Sequence, residues 1–203
     1  MKMLNYYLHK LRNVADSIDP VQIERLVEIL YEAYQQKKQI FIFGNGGSGA
    51  NASHFCEDIG KGTLRSLNDR RRFRVMSLVE NAPYVSAWAN DEGYDTIFEQ
   101  QLRNLAGNGD VAIGISGSGN SKNVLRAIEY AKLNGMITVG MTGFDGGELA
   151  QEVSCSVHIP CYDMGMVESF HLVVAHLVVD CLRERIKEAV LCPESSRSSG
   201  ERI

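Results

Sequence analysis

Hydrophobic residues recur at helical spacing in the first forty residues and predict two helices. Leu4, Leu8 and Leu11 follow one another at three- and four-residue intervals, and the apolar residues between 23 and 34 repeat this spacing. Asp19-Pro20 separates the two segments, because proline suits a first helical turn and disfavours helix just before it. We therefore expect two helices ahead of the first strand.

Short apolar runs then alternate with amphipathic segments along the rest of the chain. The predicted strands lie at residues 40–43, 73–79, 110–115, 137–141 and 153–159, and the helices at residues 50–59, 81–88, 97–106, 121–133 and 167–190. Strand and helix in alternation are typical of right-handed βαβ units. The pattern predicts an α/β fold in which a central five-stranded parallel sheet is flanked by helices.

The length of 203 residues suits one domain with a substantial core. We predict a single domain over residues 1–191 that includes the two N-terminal helices. Residues 192–203 are rich in Ser, Arg and Glu and offer almost no apolar surface to bury, so we predict a disordered tail there.

Charge and cysteine content narrow the class of protein. A net charge of −4 gives no reason to expect a nucleic-acid partner, and the basic run at residues 70–72 reads as a solvated loop. Neither a signal peptide nor an uncharged run long enough to span a bilayer is evident, so no membrane is expected. Five cysteines without a CxxC pair indicate reduced thiols and a cytoplasmic location.

A glycine-rich turn follows the first predicted strand. The stretch "GNGGSG", residues 44–49, allows positive φ and close backbone approach, and Asn45 and Ser48 add polar side chains. Because a helix begins just after it, its free N–H groups would favour an anion. Its glycines fit the GxGxxG spacing, but the dinucleotide fingerprint also requires an acidic residue at the end of the second strand, so the spacing alone is a weak signal. It is not a Walker A loop, which would need Lys before Ser or Thr.

A second polar turn follows the third predicted strand. In "GISGSGNS", Ser116, Ser118 and Ser121 stand where another helix opens, a pattern that suits a phosphate oxygen or sugar hydroxyls. Either turn alone could be a tight connection with an N-cap serine. Two such turns after strands of one parallel sheet would face the same crevice, which favours a binding site.

Two pairs of potential metal ligands lie on two predicted helices. His54 and Asp58 are four residues apart, and Glu168 and His176 are eight apart, so each pair shares a helix face. Such side chains could bind zinc or another divalent metal. Histidines on apolar helices are more often core residues that make one hydrogen bond, and this alternative stays open.

Several motifs in order along the chain resemble the sugar isomerase (SIS) family. They are the glycine turn with its following histidine, "WANDEGYD", "GDVAIGISGSGNSKNV", "TVGMTGFDGGELA" and "ESFHLVVAHLVVD". The first turn and "HLVVAH" resemble the phosphoheptose isomerase branch, over nearly the whole chain. The resemblance implies a flavodoxin-like three-layer sandwich and a homotetramer with sites at subunit interfaces.

The implied activity is an aldose–ketose isomerisation for heptose biosynthesis. It converts sedoheptulose 7-phosphate to glycero-manno-heptose 7-phosphate through an enediol. The resemblance implies one zinc ion held by His54, Asp58, Glu168 and His176, with Asp58 and His176 transferring protons. By motif, the substrate-binding residues are Asn45, Gly46, Gly47, Asp58, Asn90, Asp91, Ser116, Gly117, Ser118, Ser121 and Glu168.

The chain departs from the family pattern at three of these positions. Asp58 replaces a glutamate, Glu168 replaces a glutamine, and Gly117 stands where a threonine is usual. Neighbouring Glu57 is an alternative base, and His171 is expected to be structural. These departures keep open a non-catalytic SIS protein that binds a phosphosugar or a partner such as a replication initiator.

Overall fold

The computed structural model describes residues 1–191, and a fully parallel five-stranded sheet forms its centre. The strands are β1 (Gln39–Gly44), β2 (Arg74–Ser77), β3 (Val111–Ser116), β4 (Ile137–Thr142) and β5 (Cys155–His158). Their spatial order is β2-β1-β3-β4-β5, the flavodoxin-like order. The predicted fold class is confirmed.

Helices cover both faces of the sheet. Among residues 1–191 the α-helices are α1 (Lys2–Asp16), α2 (Pro20–Gln36), α3 (Gly46–Glu57), α4 (Ala82–Asp91), α5 (Glu99–Leu105), α6 (Lys122–Leu133), α7 (Gly147–Glu152) and α8 (Met164–Leu191). A π-helical turn, Asp58–Gly62, continues α3. The two predicted N-terminal helices are confirmed, and Asp19 caps the second by accepting from the Val21 N–H at 2.9 Å.

The core divides into two apolar layers because successive strand residues point to opposite faces. Ile40 and Ile42 of β1 pack with α2, α3 and α8, whereas Phe41 and Phe43 pack with α5, α6 and α7. All four side chains are buried. Burial on both faces explains why the strands read as continuous apolar runs in the sequence.

The chain reverses its direction across the sheet between β1 and β3. From β1 it crosses outward through α3 to β2, and from β3 it crosses the other way through α6 to β4. Right-handed crossovers in opposite directions place α3 and α6 on opposite faces. A crevice therefore opens at the carboxyl ends of β1 and β3, the usual ligand position in such sheets.

Glycine obscured some element boundaries in the sequence. Helix α3 begins at Gly46, four residues before the predicted start, because glycine has a poor intrinsic helix propensity. Helix α7 was not predicted, since glycines crowd the segment before it. The prediction of one domain over residues 1–191 stays a prediction, and the predicted tail, residues 192–203, lies outside the described residues.

By length and composition alone, α8 could cross a membrane. Its apolar segment runs over Met164–Ala189, and half of the most apolar window is buried inside the fold. Val167, Val174 and Val178 lie in the core beneath the sheet. A core helix meets the same criteria, so this is weak evidence for a membrane span.

A buried ion pair ties α5 to α6. The Glu99 carboxylate is 5% exposed and accepts two hydrogen bonds from Arg103, at 2.9 and 2.7 Å, and one from Arg126. Burial alone would raise the pKa of Glu99, but the hydrogen bonds from the two arginines outweigh it, and the pKa falls below its usual value.

Glu99→Gln should lower the free energy of unfolding by about 1–2 kcal/mol at neutral pH, since the half-exposed arginines keep access to water. The pKa of Glu99 is depressed in the folded state, so its contribution is complete above the unfolded-state pKa and is lost as pH falls through the folded-state pKa. The difference between wild type and variant should therefore shrink on acidification below about pH 4.3. Urea unfolding over this pH range measures it.

Glu129→Gln, on the exposed side of α6, is the matched control and should change stability by less than about 0.5 kcal/mol. A Glu99→Gln deficit that stays constant through the acid range would contradict the assigned role of the carboxylate.

Candidate functional site

The glycine turn, residues 44–49, lies at the crevice and becomes the first turn of α3. Asn45 is the extended N-cap, and Gly46 follows it with a φ of +53° and no atom near the position of a Cβ. A cavity of about 340 Å³ borders this turn and is also lined by Tyr94 and Phe98. The turn therefore presents backbone to an open space, as the sequence predicted.

The serine turn, residues 116–121, lies beside it at the end of β3. Ser116 is buried, and its hydroxyl donates to the Ser121 hydroxyl at 3.1 Å. Ser121 is the extended N-cap of α6, and the Ser118 hydroxyl accepts from the Asn120 N–H at 3.3 Å. Hydroxyls and the start of α6 thus converge on one short segment.

The loop between β4 and α7 supports the serine turn from behind. The Gly143 N–H donates to the Gly117 carbonyl at 3.0 Å, and the Leu149 N–H donates to the Gly119 carbonyl at 2.9 Å. Gly119 approaches the backbone of Gly146 so closely that a Cβ would overlap its carbonyl oxygen. The glycine-rich segment at residues 143–147 therefore fixes the shape of the serine turn.

Gly117 lacks the hydroxyl that the resemblance associates with this position, and a methionine takes up the space. A Cβ at Gly117 would overlap the Met164 sulfur and approach Val167. Met164 is the first residue of α8. The start of α8 thus packs directly on the serine turn.

Glu168 lies over the beginning of α3. A Cβ at Gly47 would overlap the Glu168 carboxylate, and the Asn51 side-chain amide donates to the Glu168 carbonyl oxygen at 2.8 Å. A carboxylate is favourable there because the first N–H groups of a helix carry partial positive charge. The protein's own carboxylate therefore lies next to the anion position expected at the glycine turn.

Two histidines and an aspartate converge between α3 and α8. His54 Nε2 and His176 Nε2 lie 3.5 and 3.3 Å from Asp58 Oδ2 and 3.3 Å from each other. Asp58 Oδ2 is buried and has no hydrogen-bond partner among the described residues. Three potential ligand atoms therefore face one small volume.

This triangle suits a tetrahedral metal ion. Ligand atoms bound to zinc at about 2.0–2.1 Å are about 3.3–3.4 Å apart in a tetrahedron, close to the distances among His54, Asp58 and His176. Both histidine side chains are about half exposed, so a fourth position faces solvent. Three protein ligands with one open position are typical of catalytic zinc sites.

Glu168 does not join this cluster. It precedes His176 by eight residues, about 12 Å along α8, and its carboxylate lies beside Gly47. A shared helix face does not bring two side chains to one ion when two helical turns separate them. Of the four residues that the resemblance assigned to zinc, the structure brings together three.

The remaining candidates lie outside the cluster. Asn90 and Asp91 are exposed at the end of α4, where the Asn90 amide donates to the Asp91 carboxylate at 2.7 Å. Glu57 is exposed, with Lys61 at 3.5 Å. His171 is buried against the Thr142 carbonyl at 3.1 Å, and burial lowers the pKa of His171 to about 4.

Two residues without a predicted role contact Asn45 at the crevice. Asn123 of α6 forms reciprocal amide hydrogen bonds with Asn45, and the Tyr94 hydroxyl donates to the same side chain. A sequence signal existed for Asn123, because it falls on the face of α6 that otherwise carries buried Ala127 and Ala131.

Gly119→Ala should destabilise the fold by about 3 kcal/mol or more, whereas Gly46→Ala should cost only about 1–2 kcal/mol. Both residues have positive φ, 69° and 53°, so both substitutions introduce left-handed backbone strain. Only Gly119 has a carbonyl oxygen at the position of the new Cβ, whereas Gly46 faces open space. Urea unfolding of the two variants measures how much the close approach of Gly119 to the Gly146 carbonyl adds to the loss of stability. Equal losses of unfolding free energy in the two variants would contradict this contribution.

Comparison with known proteins supports one family. The SIS domain family model matches residues 6–143. A phosphoheptose isomerase of Geotalea daltonii is 34% identical over 176 residues, covering 87% of this chain and 90% of that protein. One from Helicobacter pylori is 36% identical over 160 residues, covering 79% and 82%.

Solved structures agree with this assignment. The phosphoheptose isomerase of Neisseria gonorrhoeae has a TM-score of 0.82 and 26% identity, covering 90% of this chain and 98% of that one. The enzyme of Francisella tularensis, at 22% identity and a TM-score of 0.82, shows the same fold over 90% of this chain and 97% of that one. The chain therefore belongs to the SIS domain family and, within it, to the phosphoheptose isomerases.

Proposed function

We propose that this protein is an aldose–ketose isomerase that converts sedoheptulose 7-phosphate to glycero-manno-heptose 7-phosphate for heptose biosynthesis. The observation that carries the proposal is the convergence of His54, Asp58 and His176, with a buried and unpaired carboxylate oxygen at its centre. Relatives named phosphoheptose isomerases over most of the chain support the choice of substrate.

The reaction moves a proton between C1 and C2, which requires a base at carbon and an acid at oxygen. Asp58 is the proposed base through Oδ1, because Oδ2 of the same carboxylate is buried and faces the two imidazoles while the side chain is 21% exposed. His176 is the proposed acid, half exposed and 3.3 Å from Oδ2. Glu57 faces Lys61 instead and takes no part in this scheme.

The cluster is also the proposed metal site, with zinc as the first choice. His54, Asp58 and His176 would hold the ion, which would supply polarisation of the substrate's carbonyl and hydroxyl oxygens. His176 Nε2 cannot bind an ion and carry a proton at the same moment. Turnover measured after removal of the metal by a chelator therefore distinguishes His176 as a metal ligand from His176 as a proton donor.

We assign the substrate phosphate to the serine turn, where hydroxyls meet the start of α6. Glu168 keeps a second anion from the start of α3, so the glycine turn binds hydroxyl groups. His54 lies about 12 Å along α3 from Gly46, so a sugar that contacts both the glycine turn and the cluster must be extended. The proposed substrate contacts are Asn45, Gly46, Gly47, Asn90, Asp91, Ser116, Gly117, Ser118, Ser121 and Glu168.

Asp58→Asn and His176→Gln should each lower kcat for sedoheptulose 7-phosphate by about 100-fold or more, with KM changed only a few-fold, because each removes a proton-transfer group. NMR detection of the aldose product measures turnover, and elemental analysis of the purified protein measures bound metal. Glu57→Gln is the control on the same helix and should retain near-native turnover.

Loss of turnover on chelation, restored by zinc, would support the metal site. Full turnover in the chelated enzyme would restrict His176 to proton transfer. A wild-type protein that binds sedoheptulose 7-phosphate without converting it would refute the isomerase proposal and favour the non-catalytic SIS reading.

We also propose a homotetramer with sites at subunit interfaces. Leu4, Tyr7 and Leu8 leave an apolar face of α1 open to solvent, and Val173 and Leu177 do the same on α8 beside His176. A cover for these surfaces would also enclose the half-exposed histidines. Exposed apolar faces of this kind mark association surfaces.

Sedimentation equilibrium should give four times the 22.5 kDa chain mass. Leu4→Glu should shift the protein toward smaller species, because it places a charge in the buried contact. Leu133→Glu, an exposed leucine on α6 at the other face of the sheet, should leave the mass unchanged. A stable wild-type monomer at micromolar concentration would refute the tetramer.

We also propose a cytoplasmic location for this protein. Cys56, Cys155, Cys161 and Cys181 are free thiols in the described part of the chain. Burial raises the pKa of the Cys56 and Cys155 thiols, which keeps them protonated and unreactive at neutral pH. Reduced, unreactive thiols fit a reducing compartment.

A further inference from the structure

A pair of asparagine side chains closes the floor of the crevice. The Asn45 amide donates to the Asn123 carbonyl oxygen at 2.8 Å, and the Asn123 amide donates back to the Asn45 carbonyl oxygen at 2.9 Å. The Tyr94 hydroxyl donates to the same Asn45 oxygen at 2.8 Å. Three chain segments that are distant in sequence therefore meet at one side chain.

These contacts use most of the hydrogen-bonding capacity of the Asn45 side chain. Its carbonyl oxygen accepts two hydrogen bonds, which is its full capacity, and one of its two amide protons is already donated. Asn123 is 2% exposed on an otherwise apolar helix face, where an unpaired amide would be costly. The pair thus joins a buried amide, Asn123, to a half-buried one, Asn45, and the two side chains are each other's main partners.

The asparagine pair lies where the helices that follow β1 and β3 begin. Asn45 is the first residue after β1, and Asn123 lies in the first turn of α6 after β3. Helices α3 and α6 begin at this point and pack on opposite faces of the sheet, so the amide pair connects the starts of the two helices and forms a bridge between them. Tyr94, which follows Gly93 with its φ of +96°, adds the segment between α4 and α5 to the bridge.

We propose that Asn123 and Tyr94 are positioning residues that act through Asn45 to fix the separation of the glycine turn and the serine turn. This inference rests on the proposed function, in which one phosphosugar contacts both turns. A ligand that spans both turns depends on their separation, whereas a ligand that contacts the serine turn alone does not. Preorganised spacing contributes to binding because the ligand need not order the site.

Two substitutions test the bridge with little change in shape. Asn123→Leu keeps nearly the same shape without adding a charge at the start of α6, and it removes both hydrogen bonds to Asn45. Tyr94→Phe removes only a hydroxyl from a side chain that is 55% exposed. Tyr130→Phe, a hydroxyl deletion further along α6, is the matched control because no described residue bonds to its hydroxyl.

The probes are sedoheptulose 7-phosphate, which spans both turns, and inorganic phosphate, which fits the serine turn alone. We expect dissociation constants measured by calorimetry to rise about 10-fold for the sugar in Asn123→Leu and about 3-fold in Tyr94→Phe. Inorganic phosphate should bind within about 2-fold of wild type in both, and Tyr130→Phe should match wild type with either probe. KM should follow the sugar dissociation constant, with a smaller change in kcat.

Equally weakened binding of the sugar and of inorganic phosphate would show a merely structural role and overturn the inference. Unchanged sugar binding in both variants would overturn it as well. If Asn123→Leu does not fold, the ratio of the two dissociation constants in Tyr94→Phe decides the question. A wild type that binds the sugar but does not convert it contradicts the proposed isomerase, while the same ratio still decides the bridge.

Discussion

The packing of α3 against α8 is the constraint on which the candidate site depends. The two helices meet in the same order along their lengths, Gly47 with Glu168 near their starts and His54 with His176 two turns later. They therefore run in parallel, and close approach at the first contact requires a residue without a side chain. Glycine at position 47 thus serves the approach of α8 as well as the shape of the turn.

This arrangement distributes charge between two neighbouring helix starts. The Glu168 carboxylate lies beside Gly47 near the start of α3, whereas hydroxyls lie at the start of α6. An incoming anion would meet repulsion at the first and donors at the second. The glutamate that departs from the family pattern therefore agrees with the proposed orientation of the phosphosugar, in which the phosphate lies at the serine turn.

The sheet, most helices and the His54–Asp58 contact were accessible from sequence because each follows a local period. Buried strands read as apolar runs, and a four-residue spacing on a helix brings two side chains together. The position of Glu168 was not accessible, since periodicity gives the face of a helix but not the reach of a side chain along it. The bond between Asn45 and Asn123 joins residues 78 apart in sequence, which no local pattern encodes.

The shorter acid at position 58 still contacts both histidines. Asp58 lies within 3.5 Å of both imidazoles although its side chain is one methylene shorter than glutamate. Its backbone is regular α-helix and its N–H donates to the His54 carbonyl, so the four-residue spacing brings it to His54. The packing of α8 against α3 brings His176 to the same carboxylate, and the π-helical turn changes the helix only beyond Asp58. The substitution alone therefore does not indicate a lost active site.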